Sequence, residues 1–257
     1  MAVGASDLVL VGCANHAEDD ASAQGGAISK GKLLFFSTGD ISAVDEIEVL
    51  ADDAISATIT ITGRSAVGAQ ITEAVVFAGE TGPKTTTLAF ERVEKVRVTG
   101  GALPADATVT LMKEAGDVEI LKLYGSSVSP SGTAVTQVRK MFLGAAIPVS
   151  GSNTYYEKAY WLNAHDVDAL TSPRVKEFAD PVGVFSFALE TAADGSTSIA
   201  NRLTAPTGLS FDSADKDFSP GTLAAGSAIP VWVKLVLSSA LSPAKSYVTL
   251  RCEGETL

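Results

Sequence analysis

Polar and apolar residues alternate one by one through much of this chain. From Ile55 to Thr62 the alternation is strict. Ile55, Ala57, Ile59 and Ile61 fall on one face, and Ser56, Thr58, Thr60 and Thr62 on the other. β-Branched residues at period two predict a strand with one buried and one wet face. Gly63 to Gly68 supplies the turn, with two glycines free to take positive φ. Gln70 to Phe77 is the return strand of this hairpin. Thr85 to Phe90 and Val93 to Val98 are two further short runs, closed by Gly100-Gly101. A single helical turn fits between Leu88 and Glu94.

The same code reads along the rest of the chain. Asp7 to Cys13 predicts the first strand, followed by a polar loop from His16 to a Gly25-Gly26 turn. Leu33 to Phe36 is a short apolar run, a buried strand by length. Ile41 to Leu50 alternates again, and Thr108 to Met112 closes the first half. That is about seven or eight short strands in ~115 residues, the spacing of sandwiches. After Gly116 the chain begins again: Asp117 to Leu121 echoes Asp7 to Val11, and Met141 to Leu143 takes the place of the next apolar strand. Tyr155 to Asn163, Val182 to Glu190, Val231 to Leu237 and Tyr247 to Cys252 complete the second half. The expected fold is all-β, with two β-sandwich domains of Ig-like/Greek-key or jelly-roll type, residues 1–116 and 117–257. Trp161 and Trp232 are expected to plug the second core.

Composition narrows the function classes. Ala, Gly, Ser, Thr and Val dominate and aromatics are 7% of the 257 residues, which suits β packing with many turns. The net charge of −11 and the absence of a basic run argue against a nucleic-acid partner. No apolar stretch approaches the length of a membrane span. Leu10-Val11-Gly12-Cys13 has the form of a lipoprotein box, but no Lys or Arg precedes Lys30 and the apolar run is short. A first β-strand and no export signal are expected instead. Cys13 and Cys252 lie far apart in sequence and read as two buried free thiols; the alternative is a disulfide joining terminal strands.

The candidate chemistry is thin. His16 and His165 are the two histidines, and no G-x-S-x-G elbow accompanies them, so no catalytic set is assigned and the chain is read as a non-enzyme. Asp212, Asp215 and Asp217 form a D-x-x-D-x-D cluster; a calcium loop needs alternating oxygen ligands, a turn glycine and a closing glutamate, and the last two are missing, so the cluster reads as a solvated loop. Glu18, Asp19 and Asp20 read the same way. No metal or cofactor is expected. Tyr155, Tyr156, Tyr160 and Trp161 would form a sugar-stacking platform on one face, but strand alternation splits them, which favours core and interface roles.

Several stretches together carry a resemblance. The strand, acidic EDDAS loop and GGAI turn between Leu8 and Leu34 resemble the opening of a family of tailed-bacteriophage virion structural proteins. So does the hairpin TITITGRSAVGAQITEAV followed by TTLAFERVEKVRVTG. TYYEKAYWLNAH, NRLTAPTGLSF and LAAGSAIPVWVKLVL resemble the C-terminal β module of the same proteins. The resemblance implies a particle component without catalytic residues. It implies a capsid decoration or cement protein on the outer head surface, assembled in the host cytoplasm. Its partners would be the major capsid protein or other virion proteins and further copies of itself. The alternatives are a tail or neck component and a carbohydrate- or receptor-binding module. The loops Glu18 to Gly26 and Ser126 to Thr133 are the expected contact elements.

Overall fold

The computed structural model describes residues 2–34, 40–115, 118–241 and 248–256. The protein is all-β. Among the described residues the only helical element is one 3-10 turn at Ala5–Asp7. The chain divides into two compact units, Lys30–Lys140 and Met1–Ser29 with Met141–Leu257. The expected boundary at Gly116-Asp117 lies outside the described residues. The flanking strands β7 (Thr108–Lys113) and β8 (Val118–Tyr124) pair antiparallel with one another, Thr108 opposite Tyr124. The resumption of strand pattern after Gly116 is therefore the next strand of the same sheet, and the division by contacts falls at 29/30 and 140/141 instead of 116/117.

The 30–140 unit is built on the predicted hairpin. Strand β4 (Ile47–Arg64) is 18 residues long and β5 (Gln70–Thr85) is 16. Gly68 closes the turn at φ 75, donating its N–H to Ser65 O at 2.8 Å. The apolar face is buried as the alternation requires: Ile55, Ala57, Ile59 and Ile61, with Val75 and Phe77 across the pair. Each of the larger side chains, the isoleucines, Val75 and Phe77, stabilises by roughly 1.5–3 kcal/mol when fully buried. Strand β6 (Phe90–Thr99) pairs along the other edge of β4's second half, and β7 along its first half. Thr86 to Ala89 is a connection in place of the expected strand and helical turn. Strand β9 (Gln137–Arg139) adds to β6 and also takes the end of β2 (Gln24–Leu34) in parallel.

The other unit centres on β10 (Ser152–Asn163), flanked by β1 (Leu8–Asn15) and β16 (Ala228–Ser238). Strand β12 (Phe185–Leu189) pairs beyond β16. A second sheet is organised on β11 (Leu170–Ala179), which pairs with β17 (Thr249–Thr256) on one side. On the other it pairs with β14 (Lys216–Asp217) and β15 (Thr222–Leu223). Side chains of both sheets meet in one core: Tyr155, Phe187, Val231 and Val233 from the first, Leu170, Val175, Leu223 and Leu250 from the second.

Two expectations change here, and one strand was not foreseen. Gly25 and Gly26 do not form a turn; they lie inside β2, where Ser198 of the two-residue strand β13 (Ser198–Ile199) pairs with Gly25. Met141 to Leu143 is a turn instead of a strand, with Phe142 at φ 55 and Ala145 N–H bonded to Phe142 O. Strand β11 carried no expectation, because Pro173 interrupts its pattern at an irregularity where Ser172 takes φ 48. Phe35, Phe36 and Tyr247, the ends of two expected strands, lie outside the described residues.

Candidate functional site

Strand β10 is buried on both faces. One face, with Tyr155 and Ala159, lies on the apolar core. The opposite face carries Tyr156, Lys158 and Tyr160, and across it run the residues after β12. Lys158 is fully buried, and Glu190, which follows β12, is 8% exposed. Lys158 Nζ donates to Glu190 Oε1 at 2.6 Å, to Gly195 O at 2.6 Å and to Thr197 O at 3.2 Å. An ammonium has three protons, and all three are committed. Trp232 stands directly opposite Lys158 in the β10–β16 register and donates its indole N–H to the same Glu190 oxygen at 2.8 Å. The Lys158 ammonium lies 4.9 Å from the Tyr160 ring centre and 5.6 Å from that of Trp232. The Tyr160 hydroxyl lies within hydrogen-bond distance of both Gly26 O and Gly195 O, which share its single proton.

Burial acts on each group. It pushes the Lys158 pKa below the ordinary lysine value, and the hydrogen bond and charge of Glu190 pull it back up. Burial raises the Tyr160 phenol, and the Glu190 charge raises it further. The backbone is shaped to this cluster. Gly25 sits at φ +94, and a Cβ there would lie 2.6 Å from Thr197 O and 2.9 Å from the Trp232 ring. Gly195 leaves the space that the Glu190 carboxylate fills: a Cβ would lie 2.1 Å from Oε2. Glu190, Gly195, Thr197 and Thr207 line an open depression of about 550 Å³.

The residues singled out in the sequence are dispersed. His16 Nε2 accepts the Cys13 backbone N–H at 3.0 Å, and His165 Nδ1 accepts those of Val167 and Asp168, so both histidines shape their own loops. Asp212 takes Lys216 at 2.7 Å, while Asp217 and Asp215 face Arg174 at 2.6 and 3.9 Å. Those carboxylates are answered by cations, and among the described residues no group of three or more His, Cys, Asp or Glu is arranged to hold a metal ion. Asp19 caps its own turn through Ala21 N and Ser22 N. Asp20 bonds the buried Arg202 at 2.9 Å, which also donates to Leu143 O. The Glu18 to Gly26 segment is thus anchored, and it is exposed only from Glu18 to Ala23. In the Ser126 to Thr133 loop, Ser129 and Ser131 are buried and bonded to each other.

Cys13 and Cys252 are free thiols. Burial, helped by Glu253, pushes the Cys252 thiol up to about 12. Trp232 is the expected core plug, fully buried, whereas Trp161 is half-buried at the edge of the apolar core. With Tyr155, Tyr156 and Tyr160 buried, no aromatic platform faces solvent on β10. The Lys158–Glu190 pair had no advance signal beyond a lysine set among aromatics in an otherwise apolar strand. No protein-family model matches the sequence, and no curated protein matches it significantly.

Proposed function

We propose that this chain is a structural protein of a tailed-bacteriophage virion, a decoration or cement subunit bound to the outside of the head. The sequence resemblance supports this reading, and one structural observation carries it: the long β4–β5 hairpin presents a face of small, stiff side chains to solvent. Ser56, Thr58 and Thr60 on β4 stand beside Ala78, Val76 and Ala74 on β5, and the face ends at Thr62, which is buried and bonds the Thr72 hydroxyl at 3.2 Å. Val76 is 56% exposed at the centre of this face. Short and β-branched side chains lose little rotamer freedom on docking. This face is bordered by charge, with Arg97 of β6 opposite Thr60 and the Lys84–Glu80 pair beside Val76, and a surface of this kind can serve as a contact repeated around a symmetric shell.

The proposed partners are the major capsid protein and further copies of this chain. A non-enzymatic role fits the central ion pair, whose lysine protons are all spent on holding the 190–199 segment over β10. A tail or neck position is the second reading within the same class. Negative-stain images of virions labelled with antibody against this chain test the proposal. Label spread over the head supports it, label confined to the tail or neck moves the protein there, and unlabelled particles refute it.

A further inference from the structure

Glu190 has one oxygen left over. Its Oε1 takes both Lys158 and Trp232. Among the described residues its Oε2 accepts no hydrogen bond. That oxygen lies against Gly195, and both Glu190 and Gly195 line the depression, with Thr191, Ser196, Thr207 and Leu209. The volume, about 550 Å³, is that of a small-molecule site.

The lining selects a ligand class. Lys158 already balances the Glu190 charge, and no other charged residue lines the depression. A cation or an anion entering it would lose hydration without gaining a counter-charge. No aromatic ring lines it either, which removes the stacking surface a nucleobase needs. What the walls offer is one fixed acceptor group, the Glu190 carboxylate, with the hydroxyls of Thr191, Ser196, Thr197 and Thr207, which both donate and accept. Leu209 adds a small apolar patch for a C–H face. A neutral ring bearing several hydroxyls meets all of these demands. We infer that this depression binds one neutral sugar residue, which donates a hydroxyl to Glu190 Oε2. The site stands apart from the β10 aromatics and holds whether or not the chain decorates a phage head.

The fold supplies its own reporter. Trp232 shares the Glu190 carboxylate, so a hydroxyl placed on Oε2 shifts the Trp232 indole N–H resonance, while the Trp161 indole serves as control. The experiment titrates the full ¹⁵N-labelled chain with free glucose, galactose and mannose, and in parallel with glucosamine and N-acetylneuraminate as charged comparators. The expected result is a saturable shift at millimolar concentrations of at least one neutral sugar. It is confined to the Trp232 indole and to backbone amides of 190–197 and 207–209, and is weaker with both charged sugars. Thr207→Phe, which fills the depression from its rim, is expected to abolish the shift without moving the urea midpoint. The inference is overturned by flat titrations with all three neutral sugars, by shifts mapping elsewhere, or by stronger binding of a charged sugar. If Thr207→Phe fails to fold, the amide map of the unaltered chain decides alone.

Discussion

Lys158 and Glu190 form an ion pair of 2.6 Å inside the 141–257 portion of the chain, with the lysine fully buried. Taking two charges out of water is costly, and their attraction offsets that cost only when every remaining proton and lone pair is well placed. Here the lysine meets two further carbonyls and the glutamate an indole. Removing one partner strands the other. Lys158→Met is expected to destabilise by about 3–5 kcal/mol. Adding Glu190→Gln, which keeps an acceptor for Trp232, is expected to recover more than half of the loss. Urea denaturation of the singles and the double, with unchanged m values, measures the coupling.

The two tryptophans should differ in their response to loss of the indole N–H. Trp232 donates to a carboxylate, whereas Trp161 Nε1 is buried with no hydrogen-bond partner among the described residues. Trp232→Phe is expected to cost about 1.5–3 kcal/mol for the lost charged hydrogen bond, and Trp232→Ala about 3–5 kcal/mol. Trp161→Phe is expected to stay within about 1 kcal/mol of the parent, because it also removes an unmet donor. Thermal unfolding of the three variants checks the order.

The hairpin was legible because its two faces differ in polarity, so Ile55 to Ile61 fixed its own register. The ion pair was not, because Lys158 and Glu190 are distant in sequence and meet only through the β10–β16–β12 order. Strand β11 was hidden by Pro173, whose missing donor is tolerated at the irregularity beside Ser172. Met141 to Leu143 misled for a related reason: a short apolar run without periodicity reports burial, and a buried turn satisfies it as well as a strand does.

The outer edge of β5 pairs with no strand among the described residues, yet two of its backbone groups are covered. Lys84 Nζ donates to Val76 O at 2.6 Å, and Glu80 accepts from Ala78 N, while the two side chains bond each other. This ion pair caps a strand edge that would otherwise template pairing with another chain. Glu80→Ala with Lys84→Ala is expected to shift the isolated protein toward dimers or larger species. Sedimentation velocity at matched concentrations shows this, and an unchanged monomer peak for the double variant contradicts it.

Glu177 gives a pH signature. Burial, and then the nearby Asp180, raise its pKa above the ordinary glutamate value, and its Oε2 has no hydrogen-bond partner among the described residues. The folded state therefore holds this proton more tightly than the unfolded state. Stability from this group is full at acid pH and falls as pH rises through the interval between the two pKa values. Glu177→Gln is expected to stabilise at neutral pH and to change little in acid. Urea midpoints across the acid-to-neutral range, parent against variant, give the difference; a constant offset at all pH values contradicts it.

The proposed virion role makes the chain a repeated component of a particle, and its copies can be counted. Washed, purified virions analysed by quantitative mass spectrometry against the major capsid protein give that number. A decoration role predicts copies in the hundreds, set by the symmetry of the head. About six to a dozen, the count of one ring, would contradict a head-surface role in favour of the neck or tail. Absence from washed particles would contradict the virion reading itself.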